Sequence, residues 1–340
     1  MKERSLYLDV VKGLAIILVV VGHCIQFGSG ADVLRSGVFF ADPLFKFIYS
    51  FHMPLFMLVS GYLFRYSIQR PAAQVVIAKV RNIVVPLVVW VTLYQVLLLQ
   101  RGTTIPVDIF LATYFHELWF LRALFVFCMV VLAVRLFLRD SLYAHILLNL
   151  AVLFVPGRFM SSIFVFTLPY FTLGYLFNKY QLLSKVQPVV ERRSGLLVLA
   201  TMVPFVLLLC FFGDGYYAYR MDSCLLSNRQ PWTVTAYVDI YRHLTAVCGC
   251  LWLLLAVWWM MRRFSQPSVS RLLQKLGQAA LCIYSVNHIL NNIVLPLLPA
   301  HGICYLVNAL ESVGVLATAY AAYVVLKRYS LTRLLFLGGR

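Results

Sequence analysis

The sequence predicts an all-α polytopic integral membrane protein: one helical bundle of about ten transmembrane helices in a single domain over residues 1–340, both termini cytoplasmic. Three observations predict it. The chain is 62% hydrophobic and only 12% charged, against about 25% charged in an ordinary soluble domain. Apolar runs long enough to cross a bilayer recur from end to end. Lys and Arg alternate between the connections, twenty falling on one side and six on the other. The richer side is cytoplasmic by the positive-inside rule, and with both termini there the span count must be even.

The first span, 8–27, opens with the apolar ramp LDVVKGLAIILVVVGHC, which keeps Asp9, Lys12 and His23. Lys12 and His23 are eleven residues apart, about three helical turns plus 20°, so they share a face on which Asp9 also falls. Their heads sit about 16 Å apart along the axis, a polar seam with Lys12 at the inner end and His23 at the outer. No small-residue cleavage site follows the ramp and more spans do, so it does not read as a signal peptide. An outward loop from Gly28 to Pro43 leads to the second span, 44–64, which contains FHMPLFMLVSGYLF and His52. Residues 65–82, RYSIQRPAAQVVIAKVRN, read as a basic amphipathic segment against the inner head groups before the third span, 83–100. The fourth, 117–135, begins ELWFLRALF and carries Glu117, Trp119 and Arg122.

A tight hairpin around Pro156 joins the fifth and sixth spans, 142–157 and 160–178. The seventh, 195–213, precedes the longest outward connection, 214–236. That connection is rich in Tyr and amides, which suits stacking on sugars or head groups as well as a plain solvated connector. The eighth span, 237–261, holds Asp239, Arg242 and His243; the ninth, 278–298, holds Tyr284 and His288; a hairpin around Pro299 leads to the tenth, 303–326, with Glu311. GLA at 13–15 and SGY at 60–62 read as small-residue packing positions between helices.

Several function classes are excluded. The net charge of +17 lies in short basic clusters between apolar runs, without the aromatic interleaving of a nucleic-acid platform. The eight cysteines sit mostly inside apolar runs and read as small hydrophobes, and no His/Cys/Asp cluster has metal-ligand spacing, so no metal is expected. Neither a P-loop nor a GxSxG elbow occurs.

What remains is a set of intramembrane ionisable groups, each costing roughly 2.5–3.5 kcal/mol near the bilayer centre and therefore expected to face a cavity or one another. The predicted topology puts His52, Arg122 and Arg242 in the outer part, within reach of His23. A neutral histidine can take a proton from a hydroxyl, and arginines can stabilise an oxyanion. Bland roles compete: Lys12 as a snorkelling lysine, His23 as an interfacial histidine, and Arg122, Arg242 and Glu311 as structural pair partners. On the residues alone an enzyme, a transporter or flippase of a sugar or lipid-linked substrate, and a membrane sensor all stay open.

The run D9-x-x-K12-G13 with His23 eleven residues after Lys12, then FHMPLFMLVSGYLF, ELWFLRALF, LPYFTLGYLF and LGQAALCIYSVNHIL, resembles the membrane acyltransferase-3 family, in order and over essentially the whole chain. These are bacterial inner-membrane O-acyltransferases that modify surface glycans. The resemblance implies transfer of a short acyl group, acetyl by default, from cytoplasmic acyl-CoA to a hydroxyl of an extracytoplasmic glycan. It implies His23 as general base, with Arg122 or Arg242 stabilising the oxyanion. Lys12 stands where the family commonly has arginine, on the donor path; it keeps the charge but not the bidentate fork. Asp9, His52, Trp119, Tyr284 and His288 are the remaining residues expected to hold the donor. No appended soluble domain is expected.

Overall fold

A computed structural model describes residues 6–102, 106–155, 162–218, 220, 225, 230–264 and 267–339. Arg158, Arg229, Pro156, Cys224 and the terminal bases Lys2, Arg4 and Arg340 lie outside them.

The described residues are helical almost throughout. Helix α1 (Leu6–His23) passes directly into a π-helical turn, Cys24–Gly28. A short α2 (Ala31–Ser36) and a 3₁₀ turn (Val38–Ala41) lead to α3 (Pro43–Ile68). Asp42 caps α3 by accepting a hydrogen bond from the Phe45 amide at 2.8 Å, with Pro43 in the first turn, where a missing N–H costs nothing. Helix α4 (Ala72–Lys79) continues through a π turn (Val80–Val84) into α5 (Val85–Gln100). Then come α6 (Val107–His116), α7 (Trp119–Phe137), α8 (Leu142–Val152), α9 (Ser162–Lys179) and α10 (Leu182–Cys210). A 3₁₀ turn (Asp214–Tyr216) precedes α11 (Trp232–Arg263), followed by α12 (Pro267–Gln278) and α13 (Ala280–Ile289). A third π turn (Leu290–Val294) follows α13, and α14 (Tyr305–Arg328) and α15 (Ser330–Leu337) close the described chain.

Eight helical segments among the described residues are long and apolar enough to cross a membrane: Leu6–Gly28, Pro43–Ile68, Ala72–Gln100, Trp119–Phe137, Leu182–Cys210, Trp232–Arg263, Ala280–Leu297 and Tyr305–Arg328. The other two expected spans correspond to α8 and α9. Helix α8 has 11 residues, about 17 Å of rise against a hydrocarbon core of about 30 Å. Residues 156–157 and 160–161 of those two expected spans lie outside the described ones. The segment 65–82 also differs from expectation. Its first residues finish α3, and from Ala72 it forms one helix with α5 rather than a separate surface segment. Pro86 has no N–H to offer the Asn82 carbonyl, and the π turn over Val80–Val84 absorbs that lost bond. Helix α10 reaches further back than 195 but breaks at Arg193 (φ −125°, ψ 20°), five residues after Pro188.

The chain forms two units. The first takes the residues up to Leu18, Phe40–Gln69 and Val130–Gly277. Its centre is the pairing of α3 with α9. A Cβ on Gly61 would overlap the Phe171 carbonyl oxygen and one on Gly174 the Leu58 carbonyl oxygen, so two glycines facing in opposite directions let the backbones touch. The Asn178 amide donates to the Tyr62 carbonyl at 2.7 Å across the same pair. Between α7 and α8 two consecutive left-handed residues, Arg139 (φ 54°) and Asp140 (φ 53°), aim the Asp140 carboxylate at α8 and α9. Its oxygens lie 2.8 Å from His145 Nε2, 2.8 Å from the Tyr175 hydroxyl and 3.0 Å from Lys179 Nζ. Burial alone would raise this carboxyl, but the hydrogen bonds from His145, Lys179 and Tyr175 prevail and hold its pKa at about 2.

The second unit comprises Val19–Phe39, Arg70–Met129 and the chain from Gln278 onward. Helix α13 packs on α14, and α15 docks on α5, where Trp90 donates its indole N–H to the Phe336 carbonyl at 3.0 Å. Seven described cysteines are free.

Candidate active site

In the second unit His23 is the last residue of α1, half-buried, immediately before the π turn. Its chain neighbours Val19, Val20, Cys24 and Ile25 are all buried. Phe27 meets the ring edge-on at 5.8 Å. On the polar side, His23 Nδ1 lies 2.6 Å from the side-chain amide of Asn287, a fully buried residue of α13. Asn287 was not singled out by the sequence, although it sits in the quoted segment LCIYSVNHIL beside His288. A buried amide next to a histidine in an apolar run was the available signal.

Helix α13 also carries Tyr284 and His288, one turn apart and so on one face. His288 Nε2 stands 3.1 Å from a Glu117 carboxylate oxygen, off the axis of a ring N–H bond, and Tyr94 contacts the ring edge-on at 4.9 Å. Glu117 reaches this position because the chain breaks sharply between α6 and α7. Glu117 is extended, and the buried Leu118 adopts a left-handed φ of 46°, a conformation that costs a leucine about 1–3 kcal/mol. The Phe120 amide then points at the Tyr284 hydroxyl at 3.4 Å, and Trp119 lies edge-on to Phe120 at 6.1 Å. Arg122, on the first turn of α7, acts electrostatically on both Glu117 and Tyr284. The second unit therefore holds His23 with Asn287, and a group of Trp119, Arg122, Tyr284, Glu117 and His288.

Glu311 has a local environment of its own in this unit. Its carboxylate is 3.2 Å from His301 Nε2 and 3.3 Å from the Asn308 amide, and a Cβ on Gly28 would overlap it. Gly28 is the last residue of the π turn after His23, so a side chain there would have to displace the Glu311 carboxylate.

The first unit holds the remaining expected residues. Lys12 Nζ is 2.9 Å from Asp9 Oδ1, one helical turn away, with the Asp9 side chain 1% exposed and that of Lys12 13%. Here α1 packs tightly on α12: a Cβ on Gly13 would overlap the Leu273 carbonyl and one on Gly277 the Asp9 carbonyl. Helix α12 brings the exposed Arg271 and Lys275 onto the same element. His52, buried in α3, holds Nδ1 2.7 Å from the Ile48 carbonyl. A carbonyl can only accept, so Nδ1 carries a proton and donates it. Arg242 is buried in α11, ion-paired with Asp239 one turn before it and 5.6 Å from the Phe166 ring face. His243, next to it, stacks on Tyr170. Among the described residues no group of three or more His, Cys, Asp or Glu side chains could hold a metal ion.

A family profile described as an acyltransferase domain matches residues 5–328. The chain belongs to the membrane acyltransferase-3 family. It is similar to the nodulation protein NolL of Mesorhizobium japonicum, 28% identical over 297 residues, 84% of this chain and 76% of that one. It is similar also to the nodulation protein NolL of Sinorhizobium fredii, 27% identical over 295 residues, 84% of this chain and 77% of that one. No solved structure matches it. Membership of an acyltransferase-3 family, together with eight membrane-length helices among the described residues, supports acyl-CoA-dependent O-acyl transfer in a membrane as the general activity.

Proposed function

We propose that the protein transfers a short acyl group, acetyl in the first instance, from cytoplasmic acyl-CoA to a hydroxyl of an extracytoplasmic surface glycan, in a bacterial inner membrane and with His23 as general base. The observation that carries this reading is the acyltransferase match over residues 5–328 in a chain whose half-buried His23 ends α1 with one ring nitrogen held by Asn287. In the proposed reaction His23 removes the proton of the acceptor hydroxyl as its oxygen attacks the thioester carbonyl. Arg122 or Arg242 stabilises the tetrahedral oxyanion. The C–S bond then breaks, the ester stays on the glycan, and the CoA thiolate takes the proton that His23 accepted from the hydroxyl.

Donor recognition falls to charge and shape. Lys12 acts as a point charge toward the CoA phosphates, joined by Arg271 and Lys275 on the helix packed against it. Asp9 orients Lys12, and His52, Trp119, Tyr284 and His288 hold the rest of the donor. Ten spans in one domain with both termini cytoplasmic complete the proposal, α8 and α9 forming the hairpin beyond the eight longer segments.

Purified protein in detergent, given acetyl-CoA and oligosaccharides released from the surface of cells carrying the gene, is expected to release free CoA only when the oligosaccharides are present. Transport or flipping without bond formation predicts no CoA release under any condition.

A further inference from the structure

We propose that Asn287 is a positioning residue that fixes the ring tautomer of His23, accepting the Nδ1 proton through its amide oxygen so that Nε2 faces the acceptor hydroxyl with a lone pair. This rests on His23 being the base. The contact is 2.6 Å between His23 Nδ1 and the side-chain amide, below the usual range of about 2.7–3.2 Å for N–H···O. Two nitrogens fit that spacing worse than a nitrogen and an oxygen. The nitrogen and oxygen of an amide are interchanged by a half-turn of its terminal group, and the choice between them follows from chemistry.

An amide N–H donating to Nδ1 would place the ring proton on Nε2, where it blocks proton acceptance. That arrangement fails again once the ring is protonated, because an N–H donor then faces a second N–H. With Oδ1 turned toward the ring, the neutral tautomer is the productive one and the imidazolium formed during transfer keeps an acceptor. As placed, the amide nitrogen faces the ring and Oδ1 is buried without a hydrogen bond; the half-turn exchanges the two and gives Oδ1 the ring N–H as its donor.

The mounting is built for this. Asn287 is 0% exposed, so its amide has little freedom to trade partners. Helix α1 enters a π turn one residue after His23, α13 enters another three residues after Asn287, and the two π turns pack on each other. A π turn widens the helix and is frequent at functional sites.

The test compares Asn287→Asp, Asn287→Leu and His23→Ala, each confirmed as a monodisperse detergent-solubilised protein, by CoA release from acetyl-CoA with the cell-surface oligosaccharides across pH. Asn287→Asp keeps the acceptor and adds a negative charge. It is expected to retain kcat within about threefold while the acidic limb of the profile moves up by about one pH unit. Asn287→Leu is expected to lower kcat by at least about tenfold with KM for acetyl-CoA within about twofold. Wild-type kcat in Asn287→Leu, with activity abolished in His23→Ala, would overturn the positioning role alone. Undiminished transfer by His23→Ala would overturn the base itself and the positioning role with it. If Asn287→Leu does not fold, the Asp variant decides: an unmoved acidic limb overturns the proposal.

Discussion

Replacing Lys12 by Ala removes two things at once, and the structure says how to separate them. One is the positive charge assigned to the donor path. The other is the cation facing Asp9, whose carboxylate is 1% exposed at 2.9 Å. Taking away one partner of a buried ion pair costs about 3–5 kcal/mol. The Lys12 side chain keeps 13% of its exposure, so water can relieve part of the loss, and about 3 kcal/mol is the expected destabilisation. Asp9→Asn combined with Lys12→Ala removes both charges of the pair and is expected to recover most of that stability. It is not expected to recover donor affinity. Thermal unfolding followed by fluorescence-detected size exclusion measures the first quantity, and titration with acetyl-CoA the second. Wild-type donor affinity in a stable double variant would show that Lys12 serves the fold alone. A Lys12→Ala protein as stable as the wild type would refute the energetic reasoning.

Three further outcomes are expected. Asp140 has its pKa lowered to about 2 from 3.8, so its stabilising contribution is complete above the unfolded value and is lost as pH falls from about 4 through about 2. With an allowance for solvent screening at a partly exposed side chain, that contribution is about 1–2 kcal/mol, so Asp140→Asn should lower the unfolding midpoint at pH 7 and erase the difference from wild type near pH 2. Gly61→Leu places a side chain against the Phe171 carbonyl, a backbone atom that cannot move aside. At least about 1–3 kcal/mol of overpacking should appear as loss of monodisperse protein, whereas Gly314→Ala, in open space on the helical backbone of α14, serves as a control for expression. Arg122→Ala should reduce kcat by about 10²-fold or more if it stabilises the oxyanion, with KM for acetyl-CoA little changed; a rise in KM alone would assign it to donor binding.

The long helices were legible because hydropathy over twenty residues is a local property of the chain, and the shared face of Asp9 and Lys12 because one helical turn separates them; their ion pair came from the structure. Small residues at Gly13 and Gly61 also read correctly as packing positions, since only close backbone approach explains glycine within an apolar helix. The π turns after His23 and α13 left no trace in the hydrophobic pattern, because a single inserted residue shifts the helical phase without altering composition. For the same reason the extension of the third helix back to Ala72 was missed. Asn287 beside His23 and Glu117 beside His288 join residues far apart in sequence. Such pairings are set by how helices pack, and no spacing rule along one chain reports them. His301 meets Glu311 only ten residues further on, from the loop before α14, a pairing that follows the path of the loop and not a helical spacing.

The central claim, acyl transfer to a surface glycan with His23 as base, is tested most directly by mass analysis of surface glycans from cells lacking the gene and complemented with wild type or His23→Ala at equal membrane levels. Wild type is expected to restore one short-acyl mass increment on the glycan, and His23→Ala to restore none. An increment restored equally by His23→Ala, or no difference between cells with and without the gene, would contradict the account.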